Sequence, residues 1–304
     1  MNADALVATT RITPGTPAAR GASWLLQGQL AAWRILLPAV LAGEDPEALH
    51  QLRVCGRRLV AVLSVLEAAQ VPQARPLRRR IGKLLRRCGP ARDLDVQIAV
   101  LESAFSADTL PVLLGFLRIL RWRRIAAQLN LLRLFESTDT HTLFVALDGL
   151  GAQPPREQGT RALGSVARDL ARRGQRQVNR AARRLDEAFS LGQCHALRIE
   201  TRKLRYLAEL LESLSGMPLT DDLRRLQRLQ SLLGRINDAR HLIPAFEIAA
   251  SRLQGRSSAS ALRVMRRVVE RQRKLLQDAR GKLRAARVAV EWDTRRWNKP
   301  RARL

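Results

Sequence analysis

The sequence predicts an all-α protein built from two tandem, sequence-related helical bundles of the four-helix type. Three observations carry this. Beyond residue 19, nearly every segment spaces its apolar residues at about 3.6, and none alternates as a strand does. The stretch from His50, H-Q-L-R-V-C-G-R-R-L, returns from His195 as H-A-L-R-I-E-T-R-K-L, at an offset of 145 residues that holds without a gap. Twelve of the positions 50–95 are identical to their partners 145 later, among them Arg79/Arg224, Arg80/Arg225, Leu84/Leu229, Gly89/Gly234 and Asp93/Asp238. A period this long duplicates a structural unit, where a short period would stack a solenoid. Short connections then favour antiparallel neighbours.

Residues 1–19 carry Thr, Pro and Gly without periodicity and predict a loose tail. In the first bundle, 20–137, helices are expected over about 20–42, 46–69, 74–88, 92–106 and 110–135. Pro46 and Pro218 suit helix N-termini, and Gly43, Gly89, Gly216 and Gly234 suit helix ends and turns. The run G-L-G-A-Q-P-P-R-E-Q-G at 149–159 predicts a linker, which is placed at 138–159. The second bundle, 160–297, should hold helices over about 160–188, 193–214, 219–233, 236–252 and 258–292, with a basic tail at 298–304.

The chain has 304 residues, 46% of them hydrophobic, which is enough for sizeable cores. Aromatics make up 4%, which argues against a stacking platform for single-stranded nucleic acid. The formal net charge is +27, from 54 basic and 27 acidic residues. Solubility alone asks for roughly 2–8 charges in a small domain, so this excess points to an anionic partner. Residues 20–137 count 18 basic and 9 acidic side chains, and residues 158–297 count 31 and 14, so both halves are cationic. Apart from Lys83, Lys203, Lys274, Lys282 and Lys299, every basic residue is Arg, whose planar fork suits phosphate oxygens. Three cysteines without metal-ligand spacing do not read as a disulfide framework, and a reducing, cytoplasmic setting fits. The N-terminus lacks the apolar core of a signal peptide, and apolar runs broken by Arg predict no membrane insertion.

The cations are organised by helix face. With His50 at 0° and about 100° per residue, Arg53 and Arg57 share its strip, while Leu52, Leu59, Leu63 and Leu66 lie nearly opposite. His195, Arg198, Arg202 and Arg205 repeat the strip, with Leu197, Leu204 and Leu211 behind them. On the next helix Arg79, Arg80, Lys83 and Arg86 share one side, and Arg224, Arg225 and Arg228 copy its first part. A merely solvated face would mix in acids; like charges at i,i+4 cost stability. A polyanion site is therefore expected, made of His50, Arg53, Arg57, Arg58, Arg79, Arg80, Lys83, Arg86, His195, Arg198, Arg202, Lys203, Arg205, Arg224, Arg225 and Arg228. Arg92, Arg118, Arg121, Arg235, Arg263 and Arg266 would extend its wall.

At H-x-L-R-[VI]-x-x-R-[RK]-L the chain resembles the conserved-histidine α-helical domain family, CHAD. The likeness continues through L-L-R-R-C-G-P-A-R-D-L-D-V at 84–96, T-R-K-L-R-Y-L-A-E-L at 201–210 and L-Q-S-L-L-G-R-I-N-D-A-R at 229–240. The resemblance implies two four-helix bundles related by a pseudo-two-fold axis, with a basic channel along their junction. It also implies binding of inorganic polyphosphate and association with polyphosphate granules. The motif positions carried over are His50, Arg53, Arg57, Arg58, His195, Arg198, Arg202, Lys203 and Arg205; Val60 stands where the second copy has Arg205. No E-x-E-x-K segment accompanies them, so the triphosphate-tunnel activity found beside this domain in relatives is not implied.

Other chemistry is weaker. The remaining histidines, His141 and His241, have no His or Cys at ligand spacing, so neither metal nor cofactor is expected. Cys194 beside His195 lacks an orienting third group and reads as structural. Asp93, Asp95 and Asp238 read as helix-start acids or arginine anchors. Trp122, Trp292 and Trp297 read as packing or rim residues. The expectation is thus non-catalytic binding, with nucleic-acid binding or a phosphohydrolase activity as the alternatives.

Overall fold

The computed structural model describes residues 12–103, 110–152, 161–187, 189–215, 219–253 and 259–286. Among these the fold is all-α, with one isolated backbone bridge between Pro17 and Ala162. The helices are α1 (Ala18–Ala42), α2 (Pro46–Ala68), α3 (Ala74–Arg87), α4 (Gly89–Glu102), α5 (Leu110–Glu136), α6 (Thr138–Ala152), α7 (Leu163–Glu187), α8 (Leu191–Ser215), α9 (Thr220–Leu253) and α10 (Ala259–Ala286).

Local chemistry sets the helix ends. Gly43 closes α1 at φ 74°, a left-handed conformation that glycine adopts without steric cost. Asp45 then caps α2 by accepting from the Glu47 N–H at 2.8 Å, and Pro46 occupies the first turn. α3 gives way to α4 at Cys88, where Pro90 sits in the first turn of the new helix.

Three expectations are corrected. Residues 138–152, expected within a linker, form α6, whose Leu143, Leu147 and Leu150 are buried in the first core; residues 153–160 lie outside the described residues. Apolar spacing at i, i+4 and i+7 outweighs the Gly149 and Gly151 signals there. The break expected near Gly234 is absent, because the second copy has Arg235 where the first has Pro90. An arginine keeps its N–H, and an interior glycine costs a helix only about 1 kcal/mol. The tail is ordered from Ile12: Leu163 N–H donates to Thr16 O at 2.8 Å, and Ile12 packs on the core. Residues 1–11, Gly216, Pro218, Trp292, Trp297 and the segment 287–304 lie outside the described residues.

The apolar stripes gather into cores. One joins α1, α2, α3, α6 and the end of α5 around Trp33, and takes in Leu163 and Val166 of α7. A second joins α7, α8, α9 and the end of α10. Two smaller clusters cross between the halves: Leu101, Leu117 and Leu120 with Phe246 and Met265, and Ala61 with Tyr206 and Leu207. By length and composition α1 could cross a membrane, against the expectation of no such run, because beyond Arg20 only Arg34 interrupts it. In the fold its Ala22, Leu26, Leu30 and Trp33 are buried against the first core.

Candidate functional site

The site lies where α2 meets α8. The two helices run side by side in the same direction: Arg53 feels the charge of Arg198, Ala61 packs with Tyr206 and Leu207, and Arg58 pairs with Glu209. Their leucine stripes point into separate cores, so their cationic strips are left at the seam.

Arg53, Arg57, Arg198 and Arg202 converge there. All four are half-buried. None makes an ion pair among the described residues. Arg53 donates from Nη1 to the Leu85 carbonyl at 2.6 Å, which fixes its direction. Burial, with Arg57 next, lowers the Arg53 guanidinium below its usual value. Arg202 is brought down to about 10 by burial first and then by Arg57, Arg198 and Arg53. It stays cationic at neutral pH. Arg198 is lowered by burial, although Asp238 pulls the other way, and its Nε is buried without a hydrogen-bond partner. The free protein thus holds mutually repelling charges with an unused donor, an arrangement that an anion relieves.

The histidines mark the start of each strip. His50 is half-buried, and its imidazole is held low by burial, then by Arg92, with Arg57 and Arg53 adding and Glu47 opposing. His195 is exposed, with Nδ1 3.1 Å from Asn237 Oδ1. Asp93 and Asp238 reach the cluster electrostatically from α4 and α9. Neither is in the first turn of its helix, so the expected capping role is corrected. Asp95 does anchor an arginine, in a buried pair with Arg124 Nε at 2.6 Å.

Other expected residues are placed elsewhere. Arg58 and Arg205 are engaged by Glu209, with Arg205 also donating to Gln230 Oε1 at 2.8 Å. Lys203 pairs with Glu200 on the surface. Arg80 turns to α6, donating to Asp139 O and Thr142 Oγ1, so it leaves the expected strip. Arg79, Lys83 and Arg86 are exposed on α3. Arg224 pairs with Asp221, and Arg224, Arg228 and Arg235 line a groove of about 440 Å³ with Lys282, which sequence reasoning missed. Arg225 is exposed. Of the expected wall, Arg92 acts on His50 through its charge and donates weakly to Pro46 O at 3.4 Å, Arg121 pairs with Glu102, and Arg118, Arg263 and Arg266 are exposed. Trp122 is 67% exposed, so it is a surface residue and packs in no core. Glu209 and Tyr206 were also missed; Glu209 follows Arg205 at i+4, a spacing visible in the sequence.

Among the described residues no group of three His, Cys, Asp or Glu side chains could hold a metal ion. Cys55, Cys88 and Cys194 are free and buried, and burial pushes the Cys55 thiol up to about 12 and Cys88 to about 11. Such thiols stay protonated and inert.

Fold and site together define an all-α protein that gathers arginines on two facing helices. The CHAD-domain family model matches residues 25–247, and the chain belongs to the CHAD-domain family. The chain is similar in structure to the CHAD domain from the plant Ricinus communis, with a TM-score of 0.69 and 24% identity, covering 92% of this chain and 95% of that one. It is also similar to PptA from Streptomyces chartreusis, with a TM-score of 0.67 and 18% identity, covering 89% and 99%. At these identities the structural likeness speaks for the fold alone. No curated protein matches.

Proposed function

We propose that the protein binds inorganic polyphosphate along the α2–α8 seam, without turning it over. The observation that carries this reading is the cluster of Arg53, Arg57, Arg198 and Arg202, half-buried on facing helices with no ion pair among the described residues. Ordinary solvated arginines find carboxylates or water. These repel one another in a partly desolvated place, where a phosphate oxygen gains most. Arginine forks from both halves engage successive phosphates and release condensed counterions, so charge spacing is read and base sequence is not. Membership of the CHAD family supports the same ligand. The proposed setting is the cytoplasm, on polyphosphate granules.

Competition tests this. Labelled long-chain polyphosphate should resist displacement by duplex DNA and by RNA at matched salt and phosphate concentration. Equal displacement by either nucleic acid would assign the site to nucleic acid. Phosphate release should be absent with and without Mg²⁺; release in either condition would make the protein a hydrolase.

A further inference from the structure

One acid sits inside the cationic strip. Glu209 lies on α8 seven residues beyond Arg202, about 10 Å along the helix at 1.5 Å per residue. Its Oε1 accepts from Arg205 Nη1 at 2.6 Å, and its Oε2 lies 3.6 Å from Arg58 Nε on α2. Oε2 is buried and makes no hydrogen bond of its own. Arg205 is held further by Gln230 and by stacking on the Tyr206 ring, 4.4 Å from its centroid. One carboxylate therefore bridges guanidinium groups of both helices, the bridge that a phosphate makes at the other arginines under the reading above.

We propose that Glu209 is a built-in competitor that ends the polyphosphate track, by occupying Arg58 and Arg205 so that bound phosphates stop at Arg57 and Arg202. The inference rests on that reading. The four central arginines have no ion pair among the described residues; the next two along the same seam share one carboxylate. A phosphate chain running past Arg202 meets a negative charge where its next contact would fall. Glu209 thereby sets the number of phosphates engaged, and it holds the two helices together at that end when no ligand is present.

The test is the salt dependence of long-chain polyphosphate binding by the full chain and by Glu209→Gln, which is isosteric and uncharged. Each guanidinium freed for a phosphate should steepen the log–log slope by about 0.7. One freed guanidinium then raises the advantage of E209Q over the wild type about fivefold between 1 M and 0.1 M salt. In the E209Q background Arg58→Gln should cost more affinity than it does in the wild type, a coupling that a structural role alone would not produce. Glu209→Asp keeps the charge but withdraws it by one methylene, and should steepen the slope by less; it serves if E209Q loses its helical circular dichroism. An unchanged slope in the folded variant, or an equal cost of Arg58→Gln in both backgrounds, overturns the inference. A wild-type slope near zero overturns the underlying reading, and this inference with it.

Discussion

Arg57 of α2 and Arg202 of α8, 145 positions apart in sequence, press like charges on each other across the seam, and after burial itself Arg57 is the largest cause of the fall of Arg202 to about 10. Such a contact works against folding of the free protein. Removing one charge while keeping the aliphatic stem should therefore stabilise the molecule and weaken its ligand binding. Arg57→Met and Arg202→Met should each raise the unfolding free energy at low salt by about 1 kcal/mol, the usual size of a relieved functional strain. The gain should shrink at high salt as screening removes the repulsion. Thermal unfolding at two salt concentrations measures it.

Both helices should matter to one ligand. Arg53→Ala with Arg57→Ala, and Arg198→Ala with Arg202→Ala, should each weaken long-chain polyphosphate binding. The helical circular dichroism should survive, because the buried leucines of α2 and α8 lie on other faces. If one pair abolishes binding of long and short chains and the other leaves both intact, the ligand does not span the seam.

The pH dependence follows from His50. In the free protein burial and Arg92 hold its pKa below the ordinary value of about 6.5. A bound polyanion adds negative charge and raises it. The bound state then carries more protons than the free state between the two values, so affinity should rise as pH falls through that window, whose lower edge lies below the ordinary imidazole value. Calorimetry in two buffers of different ionisation enthalpy reads the proton uptake, and His50→Gln should reduce it.

Two substitutions test the scaffold. Asp95 and Arg124 form a buried pair at 2.6 Å, with the Asp95 side chain 3% exposed. Burial raises the Asp95 carboxyl more than Arg124 lowers it. Asp95→Ala leaves the guanidinium uncompensated and should cost about 3–5 kcal/mol in denaturant unfolding. Gly56 lets α2 approach its neighbours: a Cβ there would meet Leu85 Cδ2 at 2.6 Å and Trp33 Cζ3 at 3.0 Å. Gly56→Ala should cost about 1–3 kcal/mol through overpacking.

The helical class was legible because buried leucines recur at helical spacing, and the strips of α2 and α8 were legible because His, Arg and Leu fall on fixed sides of one wheel. Pro46 and Gly43 marked their own boundaries. What escaped was what depends on neighbours. The wheel places Arg58, Arg80 and Arg205 on cationic helices, yet Glu209, Asp139 O and Thr142 Oγ1 claim them. No single-helix pattern reports such partners. α6 was hidden behind two glycines that a tertiary contact tolerates, and the continuity of α9 turned on one position, Arg235 in place of a proline.

The most direct test of the central claim is the salt dependence of long-chain polyphosphate affinity for the wild-type chain. Four arginines engaging four phosphates predict a log–log slope of at least about −2.8, at about −0.7 for each neutralised phosphate. Substituting Arg198 and Arg202 together should make that slope shallower by about 1.4. A flat dependence, or a slope unmoved by the double substitution, would contradict binding at the α2–α8 seam.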